Sequence, residues 1–410
     1  MATSPTDIEG LDSAVNDTIS LATQLEDALT SLAQCDAGSD PSPSSSSAPL
    51  PVLDPLALAA DSAALIRAQA TKLSLLMTTA PFTPTALTSV LRQLQTGPLP
   101  ALAAAAPQCA PARYTRALQA ELARRCARVL RLLRALAGAV PRDGRPLPEA
   151  AKHGGGGRGR GSLASTGTLW AACDEVSVLA AAGAVGLLVE KAEQFRDTLR
   201  DVMEELKEWL EESDRAAERE GGNEDKEDGA TGAGETRGGD DDDDDDDDDE
   251  NDNDVDGLAE TMQAAHISDS QALLDDLMNT HSRIPPDDPE QIRPRLESCL
   301  RRLRLTTLLY TAVIKRRIKA ARPLPPAVAS PSTAPSRLDE VLPLLRRLPD
   351  SFGALALAFY DLDAAEIDRL MDQCWFDAYA VAHLLSAPWR GERDEFTDWA
   401  ARFQVEVKKN

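Results

Sequence analysis

Residues 187–213 read LLVEKAEQFRDTLRDVMEELKEWLEES. Apolar side chains recur in this stretch every three or four residues, and most of the positions between them are charged. That period places the apolar side chains on one face of an α-helix. The face consists of Leu188, Ala192, Phe195, Leu199, Val202, Leu206 and Trp209. The stretch therefore predicts an amphipathic helix that packs against other helices.

The same helical pattern extends backwards, so that one long helix is expected over Thr168–Ser213. Unbroken, it would be about 70 Å long, and Gly183 and Gly186 are the expected places for a bend or a close helix contact. The preceding sequence predicts four further helices. They run over Thr6–Cys35, from Asp54-Pro55 to Met77, from Thr83-Pro84 to Gly97-Pro98, and over Arg113–Ala137. Asp54 and Thr83 are each expected to be an N-cap, with the following proline at the first helical position.

Helical periodicity also dominates the C-terminal part. Helices are predicted over Leu258–His281, Arg293–Ala321 and Ser336–Leu348, after the capping-box sequence Asp363-x-x-Glu366, and around Trp399. No segment shows the two-residue alternation of a half-buried strand. The predicted fold class is therefore all-α, with a helical bundle domain followed by a second helical part.

An acidic run separates these two helical parts. The segment from Glu211 to Asp256 holds 24 acidic and 4 basic residues, so it carries most of the net charge of −25. It repels itself and has few apolar residues to bury, which predicts a disordered linker. We therefore expect an N-terminal bundle over 1–213 with loop inserts at 37–53 and 138–166, an acidic linker over 214–257, and a C-terminal helical domain over 258–410.

Composition points to an intracellular chain with aliphatic cores. Aromatic residues make up only 4 % of the 410 residues, whereas apolar residues make up 42 %. The six cysteines contain no C-x-x-C pair, which favours reduced thiols. The polar start at Met1–Gly10 predicts no secretory signal. The longest apolar stretch, Val176–Val189, is shorter than the about 20 residues that span a bilayer, so we expect no membrane association.

No pattern in the sequence predicts a chemical site. The four histidines are scattered, so convergent metal ligands are not expected. The sequence contains neither a G-x-S-x-G motif nor a phosphate-binding loop with a G-K-[ST] ending. We therefore expect no catalytic, cofactor-binding or metal-binding residues, no cofactor, and a protein that is not an enzyme.

Two predicted helices are strongly basic. The segments Arg113–Arg160 and Arg293–Arg322 each carry a net charge of +9. Within the second segment, a candidate nuclear import signal consists of Lys315, Arg316, Arg317 and Lys319. The alternative is that these residues lie on a solvated helix face. Nucleic-acid binding is not favoured, because only Tyr114 and Tyr310 offer aromatic platforms nearby.

The acidic run is a candidate site for a basic partner, with a plain solubilising spacer as the alternative. Its consecutive aspartates are Asp240, Asp241, Asp242, Asp243, Asp244, Asp245, Asp246, Asp247, Asp248 and Asp249. A further hypothesis is that the run lies on a basic helix of its own chain, in a contact that salt would weaken. A basic partner could then displace it.

Three short stretches resemble the GCIP family of cyclin-D-interacting proteins. They are the sequence GTLWAACD at Gly167–Asp174, LKEW at Leu206–Trp209 and FTDW at Phe396–Trp399. The resemblance implies an all-α, non-enzymatic regulator that binds cyclin D and helix-loop-helix transcription factors in the nucleus and the cytoplasm. It also implies roles in cell-cycle control and in transcription regulation.

Two other functions stay open on the sequence alone. A histone-chaperone-like binder would use the poly-Asp run to hold basic proteins, with strong salt dependence. A vinculin- or catenin-like adaptor would use the helical bundle and would not need that run. The tryptophans Trp209, Trp375 and Trp399 lie on apolar stripes, which favours a core position over an exposed groove for a partner helix.

Overall fold

The computed structural model describes residues 5–34, 54–148, 161–224, 283–285, 287–321, 324, 333–389 and 393–407, with side chains to residue 215 in the third range. Regular structure in these ranges is helical, with no strand among them. The all-α prediction is therefore confirmed. The loop insert at 37–53, the poly-Asp run and the helices predicted over 258–281 lie outside the described residues.

The described residues up to Gly138 form six helices, α1 to α6, and five of them start with proline. Proline suits the first helical position because its ring fixes φ and no backbone N–H is needed there. Asp54 caps α2 as predicted, since the Leu56 N–H donates to its carboxylate at 3.0 Å. The bounds are α1 Pro5–Gln34, α2 Pro55–Thr78, α3 Pro84–Thr96, α4 Pro98–Gln108, α5 Pro111–Tyr114 and α6 Arg116–Gly138.

Thr83 occupies the N-cap position of α3 and Pro84 follows it, as predicted, but the Thr83 side chain makes no capping hydrogen bond. Its hydroxyl donates to the Pro81 carbonyl at 3.2 Å instead. The Gly97-Pro98 pair ends α3 as expected, but Pro98 also starts a further helix, α4, that was not predicted from the sequence. Helix α4 forms one wall of a surface groove.

The first helices surround an aliphatic core. Helix α1 packs along α6 and α3, and α2 packs against α4. The side chains that fill the interior are mostly leucine and alanine, as the composition predicted. A buried polar contact also links α1 and α3: the Thr18 hydroxyl accepts a hydrogen bond from Gln95 at 2.8 Å. Burial of aliphatic surface therefore stabilises this part of the chain.

The long helix α7, Ser162–Glu224, is kinked at Gly183. Gly183 has φ 63° and ψ −167°, a backbone conformation that is essentially restricted to glycine. Gly186 lies one turn further on, where an added Cβ would come within 2.6 Å of the Ala182 side chain. The predicted bend is thus confirmed at the first of the two glycines. The helix itself begins six residues before the predicted Thr168.

Helix α7 is also long and apolar enough, by length and composition alone, to cross a membrane. However, 44 % of its most apolar window is buried inside the protein. Leu169, Val176 and Leu179 are among the side chains that reach the core shared with α1 to α6. Many of the apolar side chains of α7 therefore pack in the core of the protein.

The C-terminal helices differ from the predictions in length. Helix α8 ends at Val313 and continues as a π-helical turn over Ile314–Ile318 and a 3-10 turn over Lys319–Ala321. Helix α9 is longer than the predicted Ser336–Leu348. The bounds are α8 Ile292–Val313, α9 Ala334–Tyr360, α10 Ala364–Ser386 and α11 Glu395–Val407.

The predicted capping box before α10 forms only in part. The Asp363 carboxylate accepts the Glu366 N–H at 3.0 Å, as a capping residue does. The Glu366 carboxylate does not complete the box but binds Arg369 at 2.6 Å. The Asp363 N–H donates instead to the Ala358 carbonyl at 3.1 Å, so it needs no side-chain acceptor.

The chain forms two compact units. The first comprises Met1–Asp197, Thr307–Leu348 and Asp377–Asn410, and the second comprises Thr198–Thr306 and Pro349–Phe376. Within the second unit, the Trp209 and Tyr360 rings meet edge to face with centroids 5.3 Å apart. The domain boundaries predicted at the acidic segment stay a prediction.

Candidate protein-binding surfaces

An apolar groove lies between α1 and α4. We call it the α1/α4 groove; its volume is about 430 Å³, and all of its lining side chains are apolar. They are Leu25, Ala28, Leu29 and Leu32 from α1, and Pro100, Ala103, Ala104 and Pro107 from α4. A groove without polar lining can hold apolar side chains but offers no group for positioning a polar small molecule.

Helix periodicity explains how the groove forms. Each wall is a set of four residues at positions i, i+3, i+4 and i+7, which share one helix face. On α4 the opposite face carries Leu99 and Leu102, which are fully buried and anchor the helix to the core. The outer face of α4 bears only proline and alanine in the groove. These small side chains leave open the space that larger ones would fill.

The charges of α1 lie away from the groove. Helix α1 contains six acidic residues and no basic residue, and α4 contains no charged residue. Glu26 pairs with Arg134 at 3.2 Å. Asp27 is exposed, but it lies two residues from both Leu25 and Leu29, and side chains at that spacing do not share a helix face. The lining of the groove is therefore apolar and carries no charge of its own.

A second surface depression, between α6 and α7, is charged. Its volume is about 720 Å³, and it is lined by Glu121, Arg124, Arg125, Arg128, Ala171, Asp174, Glu175, Val178 and Glu190. Acids and bases alternate along it and largely neutralise one another. Exposed ion pairs of this kind contribute little to stability. Val178, which also lines this depression, is 65 % exposed.

Much of the positive charge predicted on α6 is engaged in ion pairs with other side chains of the protein. Three glutamates, one each from α1, α6 and α7, pair with four of its arginines. The pairs are Arg124–Glu121, Arg125–Glu121, Arg128–Glu175 and Arg134–Glu26, with N–O distances of 2.9, 3.0, 2.5 and 3.2 Å. This helix therefore offers less free positive charge to the poly-Asp run than the sequence indicated. The contact between that run and a basic helix stays a hypothesis.

The candidate import signal is divided by the fold. Lys315, Arg316 and Lys319 are exposed, but Arg317 is fully buried. The π-helical turn at this point places Arg317 toward the interior. At most three of the four basic residues can thus meet a receptor in the folded state. The import function itself stays a prediction.

Arg317 is the centre of a buried polar cluster. Its guanidinium donates to the carbonyls of Leu385 and Ser386 and to the Asp394 carboxylate, and it lies 4.4 Å from the centroid of the Phe396 ring. Burial pushes the pKa of Asp394 upward, but hydrogen bonds from Arg317 and Thr397 outweigh this effect and bring the pKa to about 2. The cluster ties α10 and α11 to the π-helical turn, which is a structural role.

The tryptophans follow the core prediction. Trp209 and Trp375 are buried, at 6 % and 7 % exposure, and Trp399 is half-buried against Phe396 and Phe403. They do not line the α1/α4 groove. Phe376, by contrast, is 68 % exposed.

The described residues contain no group of three or more His, Cys, Asp or Glu side chains that could hold a metal ion. The five described cysteines are free thiols and buried. Burial raises the pKa of Cys109, Cys126 and Cys173 to about 12, so these thiols are poor nucleophiles at neutral pH. These cysteines therefore act as small core residues.

The fold and these surfaces define an all-α helical-bundle protein. Residues 60–212 match the protein family described as Grap2 and cyclin-D-interacting, N-terminal. The match confirms the resemblance to the GCIP family over these residues. No curated protein matches the chain. Helix α1, which supplies one wall of the α1/α4 groove, precedes the matched range.

Proposed function

We propose that this protein is a non-enzymatic, protein-binding regulator of the cell cycle or of transcription. The α1/α4 groove is the observation that carries the proposal, because an apolar cleft between two exposed helix faces suits the recognition of a partner helix. The family match supports it, since the description of that family names cyclin D as an interacting protein.

The partners proposed on this basis are cyclin-like proteins or helix-loop-helix factors. Both classes are rich in helices and can present an amphipathic face to a groove. Action in both the nucleus and the cytoplasm belongs to the same proposal. Exposed Lys315, Arg316 and Lys319 are compatible with an import receptor, and replacing all three with alanine while imaging the tagged protein would test that part.

The test is affinity purification of the tagged full chain from its native cells, followed by mass spectrometry. Ala104→Arg places a long cationic side chain in the groove at an exposed position. Ala64→Arg is its matched control, since it makes the same change at an exposed helical alanine of α2 outside the groove. Cyclins or helix-loop-helix factors that are retained by A64R and lost with A104R support the proposal. Their absence from the wild-type eluate contradicts it.

A histone-chaperone-like activity is the second candidate, and it rests on Asp240–Asp249. The pairing of the α6 arginines within the bundle favours it, because those arginines compete less for the acidic run. Deleting Asp240–Asp249 would then abolish binding of basic proteins, and binding by the intact chain would fall steeply with salt. An adaptor of the vinculin or catenin kind would show cytoskeletal partners that do not depend on this deletion.

A further inference from the structure

We infer that Thr6 is a phosphorylation site for a protein kinase that prefers acidic substrates, and that the phosphate binds Arg92 across a surface pocket between α1 and α3. The inference goes beyond the proposed binding function and does not depend on it. The site belongs to the first turn of α1, which precedes the residues that match the family.

The pocket between the start of α1 and α3 is polar, and its volume is about 470 Å³. Helix α1 contributes Thr6, Asp7 and Gly10 to its lining. Arg92 of α3 is the cation of this lining; it is exposed and forms no ion pair within the described residues. Hydroxyl side chains of α3 also line the pocket, namely Thr85, Thr88, Ser89 and Thr96.

The register of the two helices directs Arg92 toward the first turns of α1. The Gln95 side chain donates to the Ala14 carbonyl at 2.9 Å, which fixes α3 against α1 one turn beyond the pocket. Thr6 and Gly10 are four residues apart and share a helix face. An added Cβ at Gly10 would meet no atom within 4 Å, so this glycine leaves the pocket open. Thr6 and Arg92 therefore border the same open space.

The sequence pattern selects Thr6 among the hydroxyls of the pocket. The stretch reads Thr6-Asp7-Ile8-Glu9, so acids follow the hydroxyl at the first and third positions. A kinase with a basic substrate groove recognises such a charge pattern. Thr6 and Glu9 are exposed, so they are accessible to that groove. Helix α3 contains no acidic residue, so its hydroxyls lack the pattern.

The phosphoryl donor is ATP. The Thr6 hydroxyl oxygen forms a bond to the γ-phosphorus, the bond from that phosphorus to the β-phosphate oxygen breaks, and the hydroxyl proton is lost as ADP leaves. The phosphothreonine carries about −1.5 to −2 charges at pH 7 and three strong acceptor oxygens. The guanidinium of Arg92 matches two of these oxygens at once, in a bidentate ion pair.

Attraction outweighs repulsion at this position. Asp7 also lines the pocket, and its carboxylate repels the phosphate. Arg92 and the partial positive charge at the amino end of α1 both attract the phosphate. A phosphate on Thr6 therefore bridges the first turn of α1 to α3 and orders the end of that helix.

The experiment treats the full chain with ATP and casein kinase II, and peptide mapping by mass spectrometry quantifies the phosphate on Thr6. Glu9→Gln removes one recognition charge and is expected to slow phosphorylation of Thr6 at least about fivefold. Thr6→Val, treated in the same way, gives the baseline for phosphates added elsewhere in the chain.

Hydrogen–deuterium exchange in the first two turns of α1 reports the bridge. Kinase treatment is expected to slow this exchange at least about threefold in the wild type, relative to treated T6V, and to leave it unchanged in Arg92→Met. Arg131→Met is the matched control, because Arg131 is an exposed arginine of α6 outside the pocket. Circular dichroism checks that each variant is helical.

A wild-type chain that carries no phosphate on Thr6 after treatment would overturn the inference, and so would equal rates for the wild type and E9Q. Exchange that slows as much in R92M as in R131M would overturn the assignment of Arg92 as the partner of the phosphate.

Discussion

The guanidinium of Arg317 and the carboxylate of Asp394 form a two-point ion pair, with one N–O distance of 2.9 Å. Arg317 is fully buried, whereas the Asp394 side chain is 40 % exposed. A buried cation depends on such a partner, because water cannot solvate it.

Replacing Asp394 with Asn should therefore destabilise the protein by about 1–2 kcal/mol, below the full cost for a buried pair because Asp394 is partly solvated. The folded-state pKa of about 2 lies under the ordinary value of 3.8. The stability due to Asp394 is thus present above its ordinary pKa and is lost as pH falls through about 2.

Urea unfolding as a function of pH measures both effects. Asp398→Asn is the control, because Asp398 pairs with Arg393 at the surface, where both side chains are more than half exposed. That change should alter the free energy of unfolding by under about 0.5 kcal/mol. A D394N variant as stable as D398N would show that Arg317 does not need its carboxylate.

Helix α6 should lose stability when Asp339 is replaced with alanine. The Asp339 carboxylate accepts the backbone N–H groups of Arg116 at 2.7 Å and of Ala117 at 3.2 Å, at the start of α6. Loss of this cap should lower the free energy of unfolding by about 1–2 kcal/mol. Thermal unfolding of Glu340→Ala, an exposed neighbour in α9, controls for the change in helix propensity; equal midpoints for the two variants would contradict the capping role.

The kink in α7 predicts opposite signs for two glycine substitutions. Gly183→Ala should destabilise by about 1–3 kcal/mol, because φ 63° with ψ −167° is strained for any residue with a Cβ. Gly167→Ala should stabilise by up to about 1 kcal/mol, since Gly167 is helical and an added Cβ meets no atom within 4 Å. Denaturant unfolding compares the two variants. If both substitutions change the free energy of unfolding in the same direction, the kinked conformation at Gly183 is contradicted.

Arg302→Met should leave the protein at least as stable as the wild type. Arg302 is 8 % exposed and lies 4.8 Å from the centroid of the Trp375 ring, and its Nε and Nη1 atoms have no hydrogen-bond partner among the described residues. Burial lowers the pKa of Arg302, although the nearby Asp372 raises it. Methionine keeps the apolar stem and removes the unpaired donors, so a gain of up to about 1 kcal/mol is expected.

Arg301→Met is the control for that variant, since Arg301 is the exposed neighbour on α8. Chemical unfolding monitored by tryptophan fluorescence provides the measurement. A clear loss of stability in R302M but not in R301M would mean that the contact between the guanidinium and Trp375 outweighs the cost of burying the charge.

Local signals accounted for most helices and for little of the surface. The Asp54-Pro55 pair and the Gly183 bend could be predicted because capping and backbone strain depend on neighbouring residues. Helix α4 was not predicted, although it begins at Pro98 and proline is common at the first position of a helix. The α1/α4 groove was therefore not predicted either, because a cleft between two helices leaves no pattern in the sequence of either helix alone.

By itself the sequence determined the helical class and the aliphatic cores, because the 3.6-residue period and the caps act over a few residues along the chain. Only the tertiary structure decided that Arg317 is buried against Asp394, that Asp339 caps α6, and that small residues of α4 leave a groove beside α1. These contacts join residues far apart in the chain, and packing selects them by shape and charge, which no local pattern specifies.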